Sequence, residues 1–270
     1  MMLVRKAAAF VKRDYIIESS YKFAFVFEML TSVLPVISFY FVAKLVGGAG
    51  SENLSEYGGR YFPFVVIGVA FTQYFMLALS TFAATIRRSQ MAGCLEATLS
   101  CPTSPQVVII FSSLYSFLAK LVHILLIFAL SGLFLGMSFR SANFASAAVI
   151  LVLTVLTFAA MGIFSASAVV VLKKGDPIEW IFGALSSLLG GALFPVRLLP
   201  AWVQGIAAVL PITYSLDAMR LAILKGYSLQ QLWHQVAILA VMSAVLLPLA
   251  VWSFAAAVEK GRRDGSLMHY

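Results

Sequence analysis

The sequence predicts an all-α integral membrane protein, and three observations lead there. Of its 270 residues, 61% are hydrophobic and 11% are charged, against about 25% charged in soluble domains. Mean hydropathy is +0.96, and it is concentrated in successive apolar runs close to the ~20 residues that cross a bilayer. The formal charge of +8 is not spread over a soluble face but flanks those runs, which is how basic residues orient membrane proteins. A nucleic-acid partner is therefore not expected, and membrane lipids are.

The elements follow in order. Residues 1–22 read as an interfacial helix, with Leu3, Val4, Ala7, Phe10, Val11 and Ile16 alternating with Arg5, Lys6, Lys12 and Arg13. Such a basic amphipathic segment lies flat on an anionic membrane surface. Six spans are expected, over 23–46, 62–86, 107–135, 144–172, 178–193 and 233–258. The first run lacks a small-residue cleavage site and reads as an uncleaved span. Gly47, Gly48 and Gly50 end it; with no strand before them and no Lys-Ser/Thr after, they form a turn and not a phosphate cradle. Pro248 lies inside the last span as an expected kink. Gly132 and Gly136 have the spacing of a close helix contact.

Two intervals depart from simple loops. In 87–105, Arg87 and Arg88 close a span and Ser89 is placed to cap a new short helix. Met91, Leu95 and Leu99 line one face of that helix, and Pro102 stops it. In 194–228, Pro195, Pro200 and Pro211 divide the chain into pieces too short to cross. Bare backbone cannot sit in lipid, so these pieces are expected to pack on protein as a re-entrant or interfacial helix pair. Placing the N-terminal tail, 87–105, 173–177 and the C-terminal tail on one side collects 12 of the 19 basic residues. That side is read as cytoplasmic, with both termini, in the cell inner or plasma membrane.

Candidate functional residues are few. Charges inside spans are costly and each asks for a role. Lys120 and His123 share a face of the third span; they suit either a translocation path for an anionic group or, for Lys120, pairing with Glu28 of the first span. Asp217 and Arg220, three apart on a helix, are expected to pair with each other. Glu179 sits favourably at a helix N-terminus. Trp202, Tyr214, Tyr227 and Trp233 suit an interfacial belt. Cys94 and Cys101 match no zinc pattern, and His123, His234 and His269 lie in different regions. No catalytic or metal site and no bound cofactor is expected.

The motifs then resemble those of a known family. Gly93-Cys94-Leu95-Glu96-Ala97-Thr98-Leu99 followed by Pro102-Thr103-Ser104-Pro105 is similar to the signature after the second span of type 2 ABC-transporter permeases. Phe194-Pro195, Leu199-Pro200-Ala201-Trp202, Leu210-Pro211-Ile212-Thr213-Tyr214 and Asp217-Ala218-Met219-Arg220 resemble that family's proline-rich stretch before the last span. Cys94 departs from the threonine usual there. The resemblance implies an exporter subunit that pairs with a second copy of itself or a homologous permease and sits on two copies of an ATP-hydrolysing subunit. It makes Ser89 to Ser100 a cytoplasmic coupling helix, with Ser89, Gly93 and Glu96 at the ATPase and Met91, Leu95 and Leu99 as anchors. It makes Pro195, Pro200, Trp202, Pro211, Tyr214 and Arg220 an outer gate. The chain has no Gly-x-x-x-x-Gly-Lys-Ser/Thr loop, so ATP and Mg belong on the partner. A hydrophobic, amphipathic or glycan-type substrate fits that layout. The competing class, an ion- or proton-coupled transporter, would need breaks at mid-membrane, whereas here they fall near the outer ends.

Overall fold

A membrane interior offers backbone groups no water, so the apolar runs satisfy their N–H and C=O groups within helices. The computed structural model describes residues 2–20, 22–46, 52–91, 105–172 and 176–263. Along them run α1 (Met2–Ser19), α2 (Lys22–Val46), α3 (Tyr61–Met91), α4 (Pro105–Phe134), α5 (Phe144–Leu172), α6 (Pro177–Leu189), α7 (Ala201–Ala207), α8 (Pro211–Arg220) and α9 (Trp233–Arg263). A 3-10 helix, Glu52–Tyr57, precedes α3; a second, Val196–Leu198, precedes α7; a π-turn, Leu221–Lys225, continues α8.

Among the described residues, four stretches are long and apolar enough to cross a membrane: Tyr61–Arg88, Val107–Phe134, Phe144–Leu172 and Trp233–Gly261. The pair Ala201–Ala207 and Pro211–Lys225, bent by 91°, makes a fifth if counted as one broken span. The six expected spans are therefore not all present among the described residues. The expected 178–193 span falls short because α6 has 13 residues, about 20 Å of helix against about 30 Å of hydrocarbon. Its hydropathy runs on to Leu193, but Gly191 adopts φ +79° and turns the chain away. α2, over the expected 23–46 run, has 25 residues, about 37 Å of helix.

α3 runs past its expected end, through Ser89 to Met91, with no glycine or proline between Ile86 and Gly93 to stop it. Ser89 is thus part of α3 and not the cap of a new helix at that point. Residues 92–104, which hold Gly93, Leu95, Glu96 and Leu99 of the expected coupling helix, lie outside the described residues. So do the side chains of Ser89, Met91 and Glu28.

α3 is the axis of the bundle: its apolar window is 78% buried, whereas that of α9 is 17% buried. Phe75 meets Phe158 of α5 edge-on at 4.7 Å, and Tyr74 and Phe82 both reach Phe117 of α4 at 5.7 Å. Such aromatic pairs add about 0.5–1.5 kcal/mol beyond their burial. Gly162 brings α5 onto α3; a Cβ there would run into the Ala78 carbonyl oxygen and come within 2.6 Å of the Phe82 ring. α5 holds α9 on its other flank, where Ser167 Oγ and Ser253 Oγ lie 3.1 Å apart. α1 also packs on protein: Phe10 and Tyr15 meet Phe111 and Tyr115 of α4 at 6.1 and 6.4 Å.

The Gly132/Gly136 spacing does not make a helix contact. α4 ends at Phe134, Gly136 lies in the following loop, and Gly132 faces Phe139 of that loop. Because α3, α5 and α9 run one way and α4 the other, the segments around 57, 141 and 220 converge on one end of the bundle, the loop end. Arg87, Asp176 and Lys260 fall toward the opposite, basic end.

Candidate functional site

The broken segment at the loop end is built from its prolines. Pro195 opens the 3-10 helix Val196–Leu198, Pro200 caps α7 with its carbonyl, and Pro211 is the first residue of α8. Each stands at a helix start, where a missing N–H costs nothing. α8 buries Ile212, Leu216 and Met219 in the core, with Tyr214 packed against it half-buried. Thr154 of α5 donates to Ser215 Oγ at 3.0 Å, and Thr213 Oγ1 donates to the Ala207 carbonyl at 2.8 Å. Trp202 on α7 is 73% exposed and takes no part in this packing.

Arg220 is the centre of the site. Its side chain is buried, and its guanidinium lies over the Phe64 ring, 3.4 Å from the centroid. Nε donates to the Phe64 carbonyl at 3.1 Å, Nη1 to the Gly191 carbonyl at 2.7 Å and Nη2 to the Ala192 carbonyl at 2.8 Å. The Gly191 and Ala192 carbonyls follow the premature end of α6, where the helix ladder no longer supplies donors. A rigid fork of N–H groups replaces the water that such backbone would otherwise require. Gly68 of α3 makes room, since a Cβ on it would run into the Ala192 carbonyl oxygen and approach Arg220 Nη2 at 2.7 Å.

The expected Asp217–Arg220 pair is not formed. Three-residue spacing puts the two on neighbouring positions, but the unsatisfied carbonyls of the broken segment claim the guanidinium. Asp217 instead accepts from Tyr57 Oη at 2.6 Å and from Gln235 Nε2 at 2.8 Å. One carboxylate thereby joins the 3-10 helix Glu52–Tyr57, α8 and α9. Burial, then the charge of Asp217 and its hydrogen bond, push the Tyr57 phenol above its usual range, so it remains a donor at neutral pH. Beside it, Arg197 pairs with Glu56 at 2.9 Å and donates to the Asn53 carbonyl.

Within the bundle, Lys120 Nζ donates to Ser32 Oγ of α2 at 3.4 Å, and Gln73 of α3 reaches the Ser32 carbonyl at 3.4 Å. His123 is buried, with Nδ1 2.8 Å from the Ala119 carbonyl of its own helix. In this single chain Lys120 is thus tied to α2, and His123 to α4 itself. At the basic end, Asp176 caps α6 by accepting from the Glu179 N–H at 2.9 Å, and its other oxygen accepts from Ser165. Arg87 is near enough for its charge to act on Glu179. No group of three or more His, Cys, Asp and Glu able to hold a metal occurs among the described residues.

Pro195, Pro200, Trp202, Pro211, Tyr214 and Arg220, expected in one region, all lie in the broken segment between α6 and α9. Tyr57, Gln235, Gly68 and the carbonyls of Gly191 and Ala192 were not foreseen. The available signal was Arg220 itself, a charge set among Ala218, Met219, Leu221 and Ala222 that must find partners if buried.

No curated protein matches the chain. The sequence model of the family described as ABC-2 type transporter matches residues 6–224, a span that includes α3, the undescribed 92–104 segment and the Arg220 site. On that match, the chain belongs to the ABC-2 type transporter family, as a transmembrane permease subunit without ATPase activity of its own.

Proposed function

We propose that this permease is the membrane half of an ATP-driven exporter. It works as a dimer, with itself or a homologous permease, on two copies of an ATPase subunit that holds ATP and Mg. In this reading six segments cross the inner or plasma membrane, α2 and α6 completing the set, and both termini are cytoplasmic. The basic end faces the cytosol, and the segment that follows α3, as far as Ser100, is the coupling helix on which the ATPase acts. Leu95 and Leu99 anchor that helix, with Met91 at the end of α3 leading into it, while Glu96 makes its polar contact. The cargo is hydrophobic, amphipathic or glycan-type and passes between the two permease copies as they rock.

The observation that carries this reading is the match over residues 6–224, supported by the division of the polar residues between two ends. The outer gate is the region of Pro195, Pro200, Trp202, Pro211 and Tyr214, braced by Arg220. Trp202, 73% exposed on α7, is the aromatic of that group best placed to meet cargo or lipid. Lys120 and His123 serve as ties within the subunit unless the second copy opens a passage beside them.

Reconstitution in liposomes tests the proposal. Flux that appears with the partner ATPase and ATP and disappears without either is expected. Gradient-driven flux from the permease by itself would overturn the reading in favour of a secondary transporter.

A further inference from the structure

A groove of about 400 Å³ lies between α4 and α5 toward the loop end. Phe71, Ile124, Met219 and Ile223 form its buried floor; Leu125 and Phe144, 57% and 67% exposed, form its lip. Its lining is apolar, and it extends from Leu121, about 20 Å along α4 from Phe134, up to Phe139 in the loop above. In a membrane protein such a slot opens onto acyl chains, not onto water.

What distinguishes this groove from ordinary lipid-facing surface is its rim. Arg140 follows Phe139, and Lys225 stands two residues beyond Ile223; both are exposed. The two turns that carry them are locked together. Ser141 Oγ donates to the Leu224 carbonyl at 3.1 Å, and Asn143 N–H donates to the Ala222 carbonyl at 2.9 Å. Gly226, at φ +72°, brings its backbone against Ser141, where a Cβ would run into the Ser141 carbonyl oxygen. Arg197 at the same end is neutralised by Glu56. Arg140 and Lys225 form no ion pair and no side-chain hydrogen bond with any described residue. Two uncompensated cations above an apolar slot match one chemistry: an anionic head group on a hydrocarbon chain.

We propose that this groove binds an acyl chain of an anionic phospholipid, with Arg140 and Lys225 holding its head group. A zwitterionic lipid fits less well, because its own cation would lie against the pair. The site lies on the α4–α5 wall, apart from the Arg220 cluster, and requires only that the bundle be in a membrane.

The test uses the purified full chain and phosphatidylglycerol bearing a diazirine near the end of one acyl chain. After illumination, adducts are mapped by peptide mass spectrometry. They are expected to concentrate on 121–129 and 144–151. Substituting Arg140→Gln and Lys225→Gln, both exposed and remote from the core, should reduce labelling by about fivefold for each cation removed. The phosphatidylcholine analogue should label the same peptides several-fold less in the unaltered protein. Adducts spread as densely over lipid-facing α9 would overturn the proposal. So would labelling that is unchanged in the double variant or equal for the two lipids.

Discussion

Removing the Arg220 guanidinium should unlock the broken segment. The side chain makes three charge-assisted hydrogen bonds at 2.7–3.1 Å, all to backbone carbonyls and all buried. Each such bond is worth about 1.5–3 kcal/mol, but the sum overstates the loss because the freed carbonyls can move toward other donors. Breaking a buried charged network by deleting one partner costs about 3–5 kcal/mol, which is the magnitude expected for Arg220→Ala. Arg220→Lys keeps the charge, but its one nitrogen cannot replace the fork, so its loss should fall between wild type and alanine. Gly68→Ala attacks the same knot from α3, pushing on the Ala192 carbonyl and Arg220 Nη2, and should cost about 1–3 kcal/mol. The two changes share their target, so the double variant should lose at least ~1 kcal/mol less than the sum. Equilibrium unfolding in mixed micelles, followed by tryptophan fluorescence, reads every variant against wild type. Wild-type midpoints for Arg220→Ala and Arg220→Lys, or full additivity with Gly68→Ala, would refute the reasoning.

Three further outcomes follow from the same structure. Gly162→Val should prevent α5 from closing on the Ala78 carbonyl of α3 and sharply lower the yield of folded protein, measured by size-exclusion chromatography in detergent. Tyr57→Phe removes the donor to Asp217 and should cost about 1.5–3 kcal/mol. Because the phenol's folded pKa is raised above its unfolded value of about 10, this contribution is complete below about pH 10 and declines as pH rises through the folded value. The stability difference between wild type and Tyr57→Phe should therefore be flat from about pH 6 to pH 9; a difference that shrinks across that range counts against the hydrogen bond. Asp176→Ala removes both the α6 cap and the Ser165 contact, and should cost about 1–2 kcal/mol in the same unfolding assay.

Hydropathy made the class and the long helices legible, because a run such as Phe144–Leu172 has no competing way to satisfy its backbone in lipid. The prolines made the broken segment legible, since Pro200 and Pro211 suit helix starts and little else in such a run. The length of α6 was not legible: Ala192 and Leu193 are both apolar, and nothing in their hydropathy reports that Gly191 turns the chain at φ +79°. The partners of Arg220 were hidden for a related reason. Spacing rules compare side chains, and here two of the acceptors are main-chain carbonyls 28 and 29 residues away. Asp217 was free for Tyr57, 160 residues distant, only once those carbonyls had taken the arginine. Ser89 was misplaced by a cap rule that has no force while α3 still has helix-forming residues ahead of it.

The most direct test of the coupling mechanism concerns the segment after α3. A photoreactive amino acid placed at Leu95, in the permease assembled with its ATPase in native membranes, reports what that segment touches. A crosslinked species containing the ATPase subunit is expected, lost when the same group is placed at Trp252, which faces outward on α9 at 70% exposure. Capture of lipid alone at Leu95, while ATP-dependent transport proceeds, would contradict it.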